Sequence, residues 1–175
     1  MQVFQRQTAV AEAQVPAREA PELRLLRAID RERRVRALLW YGARVLGALA
    51  LLSVGAVHLQ QYLYLYSAIP TIGTLFLLNF AGATAIGLAL LTPVERLLGR
   101  WSDAVVALLA LGGIGHSPTA FVLLLVSERT PLFGFMEPGY DPTGILASRL
   151  AEGAAIVLLG GHLAARFAGA SVARW

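Results

Sequence analysis

Two ionisable residues stand inside apolar stretches of this chain, where a helix in a membrane normally has none. Glu152 lies in the stretch from Gly144 to Arg166, and His116 lies in the stretch from Ala104 to Val126. An ionisable group in hydrocarbon costs at least ~2–3 kcal/mol, so it usually has a partner or a function. These two residues are therefore the first candidates for a site that handles a proton or a polar ligand.

Counting along the stretches places other polar residues near the same depth. Because a helix rises ~1.5 Å per residue, Asn79 lies about 10 Å below the outer face, Glu152 about 12 Å and His116 about 15 Å. Arg149 is one turn above Glu152, at a spacing suited to an i,i+3 ion pair. His58 lies at the outer mouth, above this layer. The layer either only locks the helices together, or lines a cavity for a polar head group, a quinone or a proton, or is completed by another protein.

The neighbours of these residues favour an inward-facing site. Glu152 is flanked by Ala151, Gly153 and other small residues, which allow close helix packing, so its side chain should face other helices and not lipid. Pro118, close to His116, cannot donate a backbone hydrogen bond, which predicts a kink or an opening of the helix there. Spans interrupted by glycine and proline near mid-membrane often mark a binding site.

The composition is that of a membrane protein. Hydrophobic residues make up 57% of the 175 residues and charged residues 15%, against about 25% charged in soluble domains. Each apolar run approaches or exceeds the ~20 residues that cross a bilayer. The runs are 38–58, 72–92, 104–126 and 144–166. We therefore predict an all-α, polytopic membrane four-helix bundle over residues 37–167.

Arginine is distributed unevenly between the connections. Eight arginines precede the first span, Arg96 and Arg100 follow the second, and Arg174 lies in the tail, whereas the other two connections hold only Arg129. The positive-inside rule then places both termini in the cytoplasm of a bacterial cell, with the protein multi-pass in the cytoplasmic membrane.

The residues before the first span form a segment of their own. Residues 1–36 are polar and rich in arginine, too long a lead to be the start of a signal peptide. An amphipathic helix is predicted from about residue 21, lying on anionic lipid or docked on the cytosolic surface of a partner. Residues 168–175 form a short cytoplasmic tail.

Aromatic residues mark both predicted interfaces. The outer set should anchor the protein and stand over the mouth of any cavity, which makes Tyr62 a further ligand-binding candidate. The sets are Tyr62, Tyr64 and Tyr66 outside, and Trp40, Tyr41, Trp101 and Trp175 inside. The outer loop from Glu128 to Thr143 is apolar and proline-rich. It either meets lipid or a partner, or folds back as a lid.

Several kinds of chemistry find little support. The chain has no cysteine, which excludes disulfides and thiolate sites. No metal-binding or nucleophile motif occurs, so no catalytic residue is predicted, and the positive charge fits topology better than nucleic-acid binding. Haem is disfavoured because His58, His116 and His162 lie at different depths. No cofactor is predicted, although a quinone or a lipid could bind.

Two blocks, together with a third short motif and an isolated glutamate, carry a resemblance to known proteins. His58-Leu-x-x-Tyr62 is followed by Ile69-Pro-Thr-Ile-Gly73-x-x-Phe76-Leu-Leu-Asn79, and later by Phe133-Gly-Phe-x-Glu137 and Glu152. Over residues 38–166 the chain resembles small four-helix actinobacterial membrane proteins, loosely DoxX-like in organisation, most of which have no assigned function. The resemblance implies a fold and a membrane location and supplies no mechanism.

The sequence favours a non-enzymatic role, as a subunit or small-ligand-binding partner in a larger membrane assembly. The alternative is a quinone- or proton-handling membrane protein that uses Glu152 and His116. Expected partners are membrane lipid and either a larger complex or further copies of the chain. For such copies, Ala83-x-x-x-Gly87 offers a small-residue contact face.

Overall fold

The structure is a computed structural model that describes residues 21–137, 139 and 141–167. Predictions for residues 1–20, for Tyr140 and Pro138 of the outer loop, and for the tail with Arg174 and Trp175 lie outside the described residues. Within the described part the chain is helical, and its only bridge between extended residues joins Leu132 to Phe135. The predicted all-α class is confirmed.

Five α-helices follow one another along the chain. The helices are α1 (Pro21–Gln61), α2 (Pro70–Leu91), α3 (Val94–Leu98), α4 (Ser102–Ser127) and α5 (Pro142–Phe167). A π-helical turn, Tyr62–Tyr66, follows α1, and a 3₁₀ turn, Gly99–Trp101, follows α3. The four predicted apolar stretches fall on four helical segments that are long and apolar enough to cross a membrane.

The described chain divides into two compact units, one ending at Val35 and the other beginning at Arg36. In the first, residues 21–35 are helical and exposed along their whole length. Arg34 Nη2 lies 2.8 Å from Asp30 Oδ2, one turn earlier. The predicted surface helix therefore falls on helical residues that belong to the same element as the first span. Every feature described below lies in the second unit.

The start of α5 is fixed by a capping residue. Asp141 accepts a bond from the backbone N–H of Gly144 at 3.0 Å, and its own carbonyl accepts from Ile145 at 3.0 Å. Gln61, the last residue of α1, donates its side-chain amide to the other carboxylate oxygen at 2.6 Å. The backbone N–H of Gly144, and then the Gln61 amide, lower the pKa of Asp141. Both donors stabilise the charged form, as expected of an acidic N-cap.

The apolar core joins all five α-helices at the end of the bundle that the sequence assigns to the inner face. Its buried members are leucine, valine and alanine. They are Ala48, Leu51, Leu90, Val94, Val106, Ala110, Ala155 and Leu159. Small residues allow this close packing, since a methyl group at Gly113 would lie 2.8 Å from side-chain carbons of both Leu51 and Leu159.

The small-residue stripe of α2 is occupied within the chain. Ala83 is fully buried, and a methyl group at Gly87 would lie 3.0 Å from the carbonyl oxygen of Ala48. The prediction that Ala83-x-x-x-Gly87 offers a face to another copy is therefore wrong, because α1 already covers it. Small residues let the two backbones approach, which is the packing advantage expected of such stripes.

Arg44 caps the C-terminal end of α2. The side chain is 2% exposed, and its Nε donates to the carbonyl of Leu90 at 2.7 Å while Nη2 donates to the carbonyl of Thr92 at 2.8 Å. Nη1 pairs with Glu95 of α3. The last carbonyls of a helix have no partner within the helix, so Arg44 satisfies them and links α1, α2 and α3.

A second polar cluster joins α1, α4 and α5. His162 Nδ1 donates to the carbonyl of Trp40 at 2.8 Å, and the Arg166 guanidinium lies 4.7 Å from the centre of the Trp40 ring. Arg166 also pairs with Asp103 at the start of α4. Trp40 is thus held between a histidine and a cation, the latter a favourable position over an aromatic face.

Candidate functional site

A cavity of about 440 Å³ lies on the side opposite the core, between α1, α2, α4, α5 and the outer loop. Its wall is mostly aliphatic and aromatic. The polar and titratable lining residues are His58, Gln61, Tyr66, Asn79, His116, Thr119, Ser127, Glu137 and Ser148. The volume falls within the ~300–1,000 Å³ typical of small-molecule sites, which are also mainly apolar with a few placed polar groups.

Glu152 lies directly behind this wall, 1% exposed. Its Oε1 accepts from the hydroxyl of Ser148 at 3.0 Å and lies 3.9 Å from Nε2 of His58. Its Oε2 has no hydrogen-bond partner among the described residues. Since Ser148 and His58 both line the cavity, they stand between the carboxyl group and a ligand. At this separation the carboxyl and the imidazole interact electrostatically but are not hydrogen-bonded.

His116 and Asn79 form a second polar pair on the cavity wall. His116 Nε2 lies 3.0 Å from Oδ1 of Asn79 and 3.2 Å from its backbone carbonyl oxygen. Gly82, one turn further along α2, leaves room for the imidazole, because a methyl group there would lie 2.8 Å from Cε1 of His116. The small residue and the amide together set the position of this ring.

The outer loop forms the roof of the cavity. Leu132, Phe135 and Glu137 line the cavity, and the backbone N–H of Glu137 donates to the carbonyl of Ser127 at 2.8 Å. Phe133 points away, 67% exposed. The sequence predicts that the loop either meets lipid or a partner or folds back as a lid. One side of it does fold back over the helices, while the other side exposes an apolar surface.

Tyr66 attaches the roof to the helices. Its hydroxyl donates to Glu137, whose other carboxylate oxygen accepts from the backbone N–H of Gly139 at 2.8 Å. The ring stacks on Phe76 of α2 with 4.4 Å between centres and meets Phe135 edge-on at 5.7 Å. Stacked and edge-to-face pairs of this kind stabilise contacts beyond the area they bury.

The structure brings the predicted site residues together as two pairs. Asn79 and His116 form the first pair. Glu152 and His58 form the second, so His58 lies at the depth of Glu152 and not, as predicted, above it. All four residues line or lie directly behind one cavity. The predicted kink or opening beside His116 does not interrupt the helix, since α4 is continuous through Pro118.

Two candidates have other roles. Arg149 pairs with Glu128 at the end of α4, so the predicted ion pair with Glu152 is wrong: Arg149 lies on a side of α5 that faces the connection from α4. Tyr62 does not line the cavity; its ring lies against Gly73. Tyr66 takes the position at the cavity instead.

The π-helical turn explains why Tyr66, and not Tyr62, lines the cavity. Ser67 N donates to the carbonyl of Tyr62 at 2.9 Å, five residues back, so this turn holds one more residue than an α-helical turn. The extra residue rotates Tyr66 inward and leaves Tyr64 79% exposed. The alternation of tyrosine with leucine in the sequence does not indicate this extra residue. Tyr66 is buried, so the prediction that it anchors the protein at the interface is wrong.

Gln61, Tyr66, Glu137 and Ser148 are site residues that sequence reasoning missed. Ser148 had an available signal, because it lies four residues before Glu152 and hence on the same face of α5. Gln61 and Glu137 bond to residues about 70–80 positions away, and no local pattern reports such contacts.

No group of three or more metal-binding side chains occurs among residues 21–137, 139 and 141–167. The three histidines of the chain are held separately, His58 by Val54, His116 by Asn79 and His162 by Trp40. The histidine rings thus have different surroundings on different helices.

Taken together, the fold and the cavity define the class: an all-α protein with four apolar helical segments of membrane-crossing length and a roofed, mainly apolar cavity. Comparison with protein-family models, with curated proteins and with solved structures finds no match in any of the three.

Proposed function

We propose that this chain is an integral membrane protein that binds a small, largely apolar ligand and performs no chemistry on it, as a partner within a larger membrane assembly. The single observation that carries the proposal is the roofed cavity of about 440 Å³. Apolar walls suit a ligand drawn from the bilayer, and the few polar groups suit one oriented head group.

Membrane insertion is supported by the outward faces of the helices. Leucine and valine are exposed there along α1, α2, α4 and α5, among them Leu46, Leu88, Leu108, Leu150 and Val157. So much exposed apolar surface indicates contact with lipid or a partner. The arginines then orient the chain with both termini in the cytoplasm of a bacterial cell.

Because the chain has no cysteine, single introduced cysteines test this orientation. We expect a membrane-impermeant maleimide to label Phe133→Cys in intact cells and to label Leu97→Cys only after the membrane is opened. Both positions are well exposed, so access to reagent is the only variable. Labelling of Leu97→Cys in intact cells, with protection of Phe133→Cys, would reverse the proposed orientation.

A cavity-filling variant tests ligand binding. Ala120 lines the cavity, and we expect Ala120→Phe to lower the amount of small molecule that co-purifies in mild detergent by about tenfold, because overpacking costs about 1–3 kcal/mol. Organic extraction followed by mass spectrometry of the extract measures this amount.

Ala154→Phe is the matched control, since Ala154 is exposed at mid-helix on α5. We expect this variant to retain the wild-type amount. If wild type and both variants carry the same molecules in the same ratio as the surrounding membrane, the cavity holds no specific ligand and the proposal fails.

A further inference from the structure

Most donor N–H and O–H groups of the cavity wall are already hydrogen-bonded to acceptors of the protein. The hydrogen bonds that a ligand can form are therefore mainly ones in which the ligand is the donor. His58 Nδ1 lies 2.9 Å from the carbonyl oxygen of Val54, an acceptor only, so Nδ1 carries the hydrogen. In neutral His58 the remaining nitrogen, Nε2, is an acceptor. Its separation of 3.9 Å from Glu152 is beyond hydrogen-bonding distance.

His116 has the mirror arrangement of its two nitrogens. Nε2 lies within 3.2 Å of the backbone carbonyl oxygen of Asn79, which fixes the hydrogen on Nε2. The other nitrogen, Nδ1, is then the acceptor. Two imidazoles that line the cavity from different helices thus keep one acceptor nitrogen each, because a backbone carbonyl determines the tautomer in both cases.

The hydroxyl groups of the wall are engaged in the same way. Each donates its one hydrogen to a protein acceptor and keeps only oxygen lone pairs for a ligand. Ser148 donates to Glu152, Ser127 to the carbonyl of Leu124, Thr119 to the carbonyl of Gly115, and Tyr66 to Glu137. Side-chain donor hydrogens remain at the amides of Gln61, one of whose N–H groups is bonded to Asp141, and of Asn79.

Charge narrows the ligand further. No arginine or lysine is among the lining residues that the structure describes. Glu137 lies in the roof, Glu152 lies behind Ser148, and Asp141 is bonded to Gln61 of the wall, while Arg149 is engaged with Glu128. A carboxylate or phosphate head would meet no cation among the described lining residues and would lie near carboxyl groups, an arrangement that costs free energy.

We infer that the cavity selects a largely apolar ligand whose head group donates a hydrogen bond and carries no negative charge, namely a hydroxyl compound or a protonated amine. The head would lie at the His58 and His116 acceptors, with the apolar body against the aliphatic wall. This inference rests on the proposed ligand-binding function and specifies its substrate class.

Four probes with the same para-octylphenyl body test the selection on full-length protein in detergent: the phenol, its methyl ether, the benzoate and the benzylamine. Binding is measured by equilibrium dialysis, and Ala120→Phe reports non-specific partition into micelles. We expect the phenol to bind about tenfold more tightly than the ether, one hydrogen bond's worth. The benzoate should bind more weakly than the phenol.

The phenol and the amine distinguish the two possible head groups, since the tighter of them identifies a hydroxyl or an ammonium donor. His58→Phe and His116→Phe keep a ring and remove an acceptor, so the variant at the true acceptor should bind phenol and ether equally. Exposed Gln60→Ala is the control beside the cavity. The probe comparison in wild type stands even if a variant fails to fold.

Two negative results have different meanings. If the ether or the benzoate binds as tightly as the phenol, and more tightly to wild type than to Ala120→Phe, donor selection is wrong while ligand binding stands. If no probe and no co-purified molecule distinguishes wild type from Ala120→Phe, the proposed function itself fails.

Discussion

Replacing Arg44 with methionine is expected to lower the free energy of unfolding by about 3 kcal/mol, among the largest effects of any single substitution in this chain. The variant keeps the length and apolar character of the stem but removes three donors. The carbonyls of Leu90 and Thr92 then lack the partner that Arg44 provides at 2.7 and 2.8 Å. Buried acceptors left without a partner cost more than the net gain of forming the bond.

The ion pair with Glu95 contributes little to this expectation. Glu95 is 41% exposed at its side chain, and water screens and solvates an exposed partner. We therefore expect Glu95→Gln to change stability by less than about 1 kcal/mol. Arg44→Lys should fall between, since an ammonium keeps the charge but not the planar arrangement of donors.

Thermal or detergent-induced unfolding followed by tryptophan fluorescence measures these differences. The order expected is wild type and Glu95→Gln together, then Arg44→Lys, then Arg44→Met. If Glu95→Gln is as damaging as Arg44→Met, the carbonyl bonds are not the source of the stabilisation. The role of Arg44 as the cap of α2 would then be wrong.

Gly73→Ala is expected to have the second large effect, a loss of about 1–3 kcal/mol in stability together with loss of ligand. A methyl group at this position would lie 2.6 Å from the carbonyl oxygen of Tyr66 and 3.3 Å from Cα of Ser67. Both are backbone atoms, which cannot rotate away as a flexible side chain can. The first turn of α2 must therefore separate from the π-helical turn.

That separation reaches the cavity. Tyr66 stacks on Phe76 of α2 and bonds to Glu137 of the roof, so a displaced π-helical turn disturbs the wall and the roof together. Gly73→Ala should lower both the temperature of thermal unfolding and the amount of co-purified molecule. A loss of stability with full retention of ligand would show that the roof does not depend on this contact.

Gly115→Ala is the matched control, because a methyl group there would meet nothing within 4 Å. Alanine favours a helix over glycine by up to about 1 kcal/mol. We expect this variant to be as stable as wild type or slightly more so, and to keep its ligand. Equal damage from both substitutions would indicate a general intolerance of alanine for glycine, not the close approach at Gly73.

Two kinds of feature could be predicted from the sequence: those that depend on the length and hydrophobicity of a stretch, and those that depend on how far along a stretch a residue lies. Four apolar runs predict four long helices, because only length and hydrophobicity matter for that conclusion. Counting residues placed Asn79 and His116 at one level, and they do form a pair. The small neighbours of Glu152 predicted its inward direction, and it is buried.

Rotation about a helix axis and contacts across the chain could not be predicted. Arg149 pairs with Glu128 of a preceding connection, although its spacing from Glu152 suited a local pair. Arg44 lies inside the first apolar stretch, and its function depends on carbonyls 46 and 48 residues away. Which Tyr faces inward depends on one extra residue in a turn, a geometric detail that composition does not carry.

Because of the π-helical turn, the groups that face the cavity depend on the number of residues in this segment as well as on their types. Five residues, Tyr62–Tyr66, occupy a turn that an α-helix would complete with fewer. Deleting one of residues 62–65 would remove no residue of the wall, yet it would turn Tyr66 through about 100° and away from Glu137. An insertion or deletion in this segment should therefore act on the cavity more strongly than most substitutions of its residues. An alignment that treats the segment as ordinary helix would place the wrong tyrosine at the cavity.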